Sequence, residues 1–247
     1  MPYVGAPRGI SPWFESSAGG AFSHAMATIV IAAKNAPYRQ RITADIQCDG
    51  VADEVEVRGA IADAIAAGGG HIQLTEGDFE FDSSMSTALS PANIMISGRG
   101  PNTVIKGSPL GATNELILFK FNSIAGLVIR DLSIDANGNY TLGGIQFQGG
   151  SRIWIHNTEY TDSAPIGSPA SDRYGWVFNT ATNTDVWFTE NRTDGPQPQF
   201  STMAQAVISN NIFKNSIKTA VVAINVVSAS ATIKDVLFEG NHVIVDS

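Results

Sequence analysis

The apolar positions of this chain follow two different periods. Between residues 53 and 67, Val55, Val57, Ile61, Ala64 and Ile65 recur near helical spacing. Asp53 stands where a cap belongs, and Gly68, Gly69 and Gly70 supply the stop. This predicts a helix over about 53–67 that turns Val55, Val57, Ile61 and Ile65 toward whatever follows. Elsewhere the pattern alternates with period two. Residues 28–33 (TIVIAA) read as a buried strand stopped by Asn35 and Pro37, followed by a helical turn or two at 38–42. Cys48, Asp49 and Gly50 form a turn. Strand alternation resumes at Ile72 and Leu74, continues through Phe79 and Phe81, and recurs at 93–98 and 103–107.

Further along, one phrase repeats: apolar, any, apolar, a polar pair, then apolar again. It occurs at 127–135 (LVIRDLSID), 153–161 (IWIHNTEYT), 186–194 (VWFTENRTD), 207–215 (VISNNIFKN) and 236–244 (VLFEGNHVI). With Asp131, Asn157, Glu190, Asn211 and Asn241 as markers, the steps are 26, 33, 21 and 30 residues. Steps that vary about a fixed unit describe a solenoid whose loops differ in length while its strands do not. Each coil stacks on the next to bury its apolar face. Asn157, Asn191, Asn211 and Asn241 then read as turn and ladder residues rather than ligands.

The segment CDGVADEVEVRGAIADAIAAGGGHIQLTEGDFEF, followed by ANIMISGRGPNTVIKG, resembles the N-terminal part of pectate-lyase-like right-handed parallel β-helix proteins, including the phage tailspike type. The resemblance covers 44–107 continuously and the coil pattern more loosely to the end. It implies an all-β, right-handed parallel β-helix with an N-terminal capping α-helix that plugs the first coil. It does not imply one activity, because lyases, hydrolases, epimerases and inert adhesins share this scaffold. Asn183, Thr184 and Asp185 match one element of polygalacturonase-type hydrolases. The companion Asp-Asp, Gly-His-Gly and Arg-Ile-Lys elements are absent, so Asp185 is not assigned a catalytic role.

Composition narrows the partners. Only 15% of residues are charged, against about 25% in ordinary domains, and short polar residues fill the difference. The net charge of −8 argues against nucleic acid or anionic membrane as partner. A single cysteine, Cys48, leaves no disulfide framework and no thiolate metal cluster. The scattered histidines His24, His71, His156 and His242 offer no ligand spacing, so neither a metal nor another cofactor is expected. The longest apolar run, near 25–33, is too short to span a bilayer. It also starts too late, without a basic flank, for a signal peptide.

Residues 1–24 carry prolines together with Tyr3, Trp13, Phe14 and Phe22, and are expected to form an exposed arm that docks on a partner. Residues 25–247 are expected to form the β-helix, its C-terminal end without a cap. The arm and the absent signal favour a bacteriophage virion surface protein: a tailspike, fibre or capsid-attached spike, homotrimeric, presenting the β-helix to host-surface polysaccharide. A free, secreted polysaccharide lyase or glycoside hydrolase and a purely structural spike are the alternatives. Loops on a rigid scaffold carry sites, and 161–176 and 191–203 read as the longest interruptions of the coil pattern. Aromatic faces stack on sugar rings while Arg, Asp and Gln take hydroxyls. Tyr174, Trp176, Arg173 and Arg192 are therefore the candidate glycan-binding residues. Asp172 and Asp194 are the candidate catalytic acids, because glycoside cleavage needs two carboxyls across the bond.

Overall fold

The computed structural model describes residues 27–82, 89–107, 118–137, 144–161, 174–178, 181–195, 197–215, 225–226 and 233–245. The 1–24 arm lies outside them, as do Asp162, Asp172 and Arg173 and the side chain of Tyr174.

The chain enters through β1 (Thr28–Ala32), α1 (Tyr38–Ile42) and β2 (Ile46–Gln47), then α2 (Glu54–Ala66). The strands β3 (Gly70–Leu74), β4 (Gly77–Phe81), β5 (Ala92–Ser97) and β6 (Thr103–Gly107) build the first coils. Next come the long bent strands β7 (Phe119–Asp135) and β8 (Ile145–Thr161), then β9 (Tyr174–Phe178) and β10 (Asn183–Thr189). β11 (Arg192–Asp194), β12 (Gln197–Phe200), β13 (Met203–Ser209), β14 (Ile212–Asn215), β15 (Asn225–Val226), β16 (Ile233–Glu239) and β17 (His242–Val245) complete the series. Every pairing between them is parallel. The result is the expected right-handed parallel β-helix, with three faces per full coil.

Taking β8 as the reference coil, 145–148 lies on the first face, 153–156 on the second and 159–161 on the third. Two columns of left-handed backbone separate the faces. The first holds Gly126, Arg152 (φ 59), Asp185 (φ 50), Gln205 (φ 53) and Asp235 (φ 53). The second holds Asp131 (φ 56), Asn157 (φ 48), Glu190 (φ 57), Asn210 (φ 56) and Gly240 (φ 60). A single left-handed residue bends the chain sharply enough to start a new strand at once. Asn and Asp tolerate this conformation best of the non-glycine residues.

The pairing corrects one detail of the repeat. Val186 pairs with Ala206, not Val207, so the fourth phrase begins one residue earlier and Asn210 is its corner. Coil-to-coil steps become 26, 33, 20 and 30 residues. Most of that variation falls at 136–144, 162–173, 195–196 and 216–224, between the third face of one coil and the first face of the next.

The interior is a column of stacked side chains. Phe121, Phe147, Phe178 and Phe200 follow one another at ring separations of 6.0, 4.5 and 5.6 Å along the first face. On the third face the interior turns polar, and its asparagines are tied to one another and to the backbone, whereas the buried Thr193 hydroxyl has no hydrogen-bond partner. Asn191 Oδ1 accepts the backbone N–H (3.0 Å) and hydroxyl (2.7 Å) of Thr158, and its Nδ2 donates to the Ile155 carbonyl (3.1 Å). Asn211 Oδ1 accepts the Asn191 N–H, and Asn241 Oδ1 accepts that of Asn211. Asn191, Asn211 and Asn241 thus form a ladder, while Asn157 holds a corner and donates to Asp131.

At the N-terminal end α2 covers the first coil. Val57, Ala60, Ile61 and Ala64 are buried, and Ile65 packs partly against the core. Val55 departs from expectation and is 65% exposed. It lies two residues before Val57, which turns it to the opposite side of the helix. Gly70 permits the close approach, since a Cβ there would sit 2.8 Å from that of Ala64. Asp53 makes no side-chain cap bond. Its two carboxylate oxygens accept the N–H groups of Gly50 and Glu80, both at 2.9 Å, and this ties the helix start to β4. Burial raises the Asp53 pKa above the usual carboxylate range, with those hydrogen bonds opposing the shift.

Candidate glycan-binding face

Of the expected site residues, Trp176, Arg192 and Asp194 have described side chains, and Trp176 stands apart from the other two. Trp176 is fully buried, in register with Ile145, and packs against Phe147 (6.4 Å) and Tyr160 (5.9 Å). It is a core side chain and presents no face to a ligand. Tyr174 opens β9, and Asp172 and Arg173 lie outside the described residues. The segment 191–203 is no insertion: β11 and β12 make it an ordinary coil, with Asn191, Thr193 and Phe200 in the interior. Arg192 and Asp194 do share the outer side of the third face. Arg192 Nε lies 3.3 Å from Glu159, and Lys214 Nζ lies 3.6 Å from Asp194. These are surface ion pairs of a kind that contributes about 0–1 kcal/mol.

The second face has a different character. Its registers align two outward columns, one residue per coil. Met95, Val128, Trp154, Trp187, Val207 and Leu237 form an apolar column. Beside it run Ser97, Arg130, His156, Thr189, Ser209 and Glu239. Strand alternation forces this arrangement: Leu127, Ile129, Ile153, Ile155, Val186 and Phe188 take the inward positions and the residues between them the outer side, where Val128, Ser97 and Ser209 are nevertheless buried by their neighbours. Trp154 and Trp187 are half-buried and sit on adjacent coils in register.

A polar network fixes this pair. Trp154 Nε1 donates to Thr189 Oγ1 at 3.2 Å, and His156 Nδ1 lies 3.1 Å from the same hydroxyl. The Trp154 and His156 rings stack at 5.0 Å with 26° between their planes. With Nδ1 engaged by Thr189, His156 Nε2 is directed to the Glu190 side, 4.0 Å from its carboxylate. Arg130 stands one coil before His156 in register, and its Nε is 3.5 Å from Asp131. Arg152, at the corner, donates to the Ala125 carbonyl. Farther toward the N-terminus His71 lies 2.7 Å from the Ser97 hydroxyl, and burial, then Arg130, lowers its pKa. Arg130, Arg152 and His156 thus stand toward the N-terminal coils, while Asp185, Glu190 and Glu239 stand toward the C-terminal ones.

Chemically, the face offers indole surface for sugar C–H groups, with Arg130, His156 and Thr189 beside it as donors and acceptors for hydroxyls. Sequence reasoning placed Trp154 and Trp187 at the unconstrained position of the repeated phrase. The available signal was tryptophan at that same position in two successive phrases. Among the described residues Cys48, Asp53 and Glu56 also converge, their ligand atoms within 4.8 Å of one another. Burial, then the neighbouring acids, raises the Cys48 thiol pKa strongly, and Asp53 already accepts two backbone N–H groups. The cluster is accounted for as packing of the helix start.

No protein-family model and no curated protein matches the sequence. Among solved structures, the A-module of the Azotobacter vinelandii mannuronan C-5 epimerase AlgE6 matches with a TM-score of 0.50 and 21% identity. The match covers 79% of this chain and 53% of that one, so the chain spans about half its length. The A-module of AlgE4 from the same organism matches at TM-score 0.43 and 16% identity, covering 80% and 67%. At 21% identity the likeness to the AlgE6 module is one of fold, and that fold is the right-handed parallel β-helix.

Proposed function

We propose that the protein binds polysaccharide on the outer side of its second face, with Trp154 and Trp187 as stacking platform. The observation that carries this is the in-register tryptophan pair, joined through Thr189 to His156. A protein partner would meet the same apolar column. Three features favour sugar: a hydrogen-bonding group stands beside every apolar residue, the indole N–H is tied to a hydroxyl that also engages a histidine, and charged groups border the pair on both sides. Contact regions for protein tend instead to lose charge at their centre.

The test is titration of soluble polysaccharides by calorimetry, beginning with mannuronan, for which the similarly folded AlgE6 module is named, and including neutral glycans. Trp154→Ala and Trp187→Ala should each weaken binding roughly 5- to 10-fold, the equivalent of about 1–1.4 kcal/mol. Arg192→Ala on the third face should leave affinity unchanged. An equal loss from Arg192→Ala alone would move the site to the Arg192 and Asp194 surface. Self-association abolished by the tryptophan variants, with no glycan bound, would make the face a protein interface. Release of reducing ends or unsaturated products would add catalysis to binding. The virion spike is the form of this reading that the aromatic 1–24 segment favours. Its removal should then abolish assembly with virion proteins and leave glycan affinity intact.

A further inference from the structure

We propose that the protonation state of His156 sets which ligand groups the Thr189 hydroxyl can take. With His156 neutral, the hydroxyl accepts from a donor such as a sugar hydroxyl. With His156 protonated, it donates to an acceptor such as a carboxylate. This rests on the polysaccharide-binding reading above and adds to it a proton-controlled choice between neutral and acidic chains.

A hydroxyl has one proton and two lone pairs. Trp154 Nε1 is a donor only, so its 3.2 Å contact occupies one lone pair of Thr189 Oγ1. His156 Nδ1, 3.1 Å away, takes one of the two remaining positions, and its own protonation selects which. The tautomer of the neutral ring follows from the other nitrogen. Nε2 lies 4.0 Å from the Glu190 carboxylate, which only accepts when ionised, so the neutral ring carries its proton there. Nδ1 is then an acceptor, the Thr189 hydroxyl donates to it, and one lone pair of the hydroxyl is left over. Proton uptake from solvent places a hydrogen on Nδ1. That hydrogen fills the second lone pair of Thr189 Oγ1, and the hydroxyl keeps its own proton but turns it away from the ring. One proton is taken up per site, and no other bond is made or broken.

Charges of both signs surround the ring. From β7, Arg130 stands in register one coil before, with Asp131 3.5 Å from its Nε. From the following coil, Thr189 stands in register and Glu190 comes next to it at the corner. On β8 itself, Glu159 is 3.3 Å from Arg192 and so is already engaged. Trp154 stacks on the ring at 5.0 Å, so an imidazolium formed here lies on an aromatic face, which attracts cations. His156 and Thr189 are both half-buried on the outer side, and the free position of the hydroxyl is available beside the tryptophan pair. Protonation therefore changes two things at once. It converts an acceptor into a donor, and it sets a positive charge beside that donor, which together suit a carboxylate.

Two measurements on the whole chain test this. Nitrogen-15 NMR of the His156 ring without ligand should show the Nε2–H tautomer at about pH 8 and both nitrogens protonated at about pH 5. A neutral ring with its proton on Nδ1 would overturn the proposal whatever the glycan results. Calorimetry then compares hexamers of mannuronan, whose carboxylates stay ionised over this range, with hexamers of cellulose as a neutral counterpart. On acidification between the same two values, affinity for the mannuronan hexamer should rise about 5- to 10-fold, the effect of one charge-assisted hydrogen bond at a half-exposed site. Affinity for the cellulose hexamer should not rise. Thr189→Ser should keep the rise, Thr189→Val should lose most of it, and His156→Gln should lose it all. A full rise in Thr189→Val would assign the effect to the imidazolium charge alone and overturn the part given to the hydroxyl. A rise that survives in His156→Gln, or that is equal for both hexamers, would also overturn the proposal. Binding that persists without any difference between the two pH values would remove this choice and leave the platform standing. No binding of either hexamer at either value would remove the polysaccharide reading and the choice with it. Circular dichroism spectra matching wild type keep the variants interpretable.

Discussion

Replacing Asn191 with alanine should destabilise the fold by far more than an ordinary polar substitution. Asn191 is buried and its amide makes three hydrogen bonds: two accepted from Thr158 and one donated to the Ile155 carbonyl. Truncation leaves the Thr158 backbone N–H buried without an acceptor, which costs about 1–3 kcal/mol. The lost bonds to the Thr158 hydroxyl and the Ile155 carbonyl add about 1 kcal/mol each. The expected total is about 3–5 kcal/mol, large for a single side chain of this size. Thr158→Val, which removes only the hydroxyl, should cost about 1 kcal/mol. Asn157→Gly, at an exposed corner with φ 48, should lie within about 0.5 kcal/mol of wild type, because glycine adopts that backbone freely. Urea unfolding followed by far-UV circular dichroism and tryptophan fluorescence measures all three. A loss below about 1 kcal/mol for Asn191→Ala would refute the ladder as a stabilising element.

Two further outcomes follow from the cap and from the face. Ile61→Asp places an unpaired charge in the core beneath α2 and should cost more than about 4 kcal/mol, whereas Val55→Asp should stay within about 0.5 kcal/mol; comparable unfolding midpoints for the two would undo the helix orientation. His71 has its pKa lowered in the folded chain, so it contributes stability above the ordinary value of 6.5 that is lost as pH falls through the folded value. His71→Gln should therefore flatten the decline in unfolding free energy on acidification below that point, and an unchanged slope would assign the decline to other groups.

The cap and the first coils were legible in the sequence because local signals agreed there: helical period, a glycine stop, then alternation. Within that segment Val55 misled, since hydrophobicity alone does not say which side of a helix a residue takes. The set Val57, Ala60, Ile61 and Ala64 has the right spacing but includes alanines, which carry a weak apolar signal. The coil at 191–203 was misread as an insertion for a different reason. Its interior positions Asn191 and Thr193 are polar, Asn191 as a member of the ladder, so the apolar alternation that marks a strand is interrupted where the fold is most regular. Trp176 was taken for a surface residue by its neighbours in sequence, Asp172, Arg173 and Tyr174. Its placement is set by pairing with Ile145, a partner 31 residues away. The tryptophan pair escaped for the complementary reason: each residue alone is unremarkable in a strand, and only the register between coils sets Trp154 beside Trp187.

The two left-handed corners of each coil hold their geometry whether occupied by Arg, Asp, Gln, Glu, Asn or Gly. Length differences among coils are concentrated at the remaining margin. A segment exchanged there for a longer or shorter one leaves the pairing of the second face untouched. The scaffold therefore separates two kinds of change: outward side chains can alter what the platform grips, and margin segments can be grafted to alter what surrounds it. Each can be varied while the other is held constant.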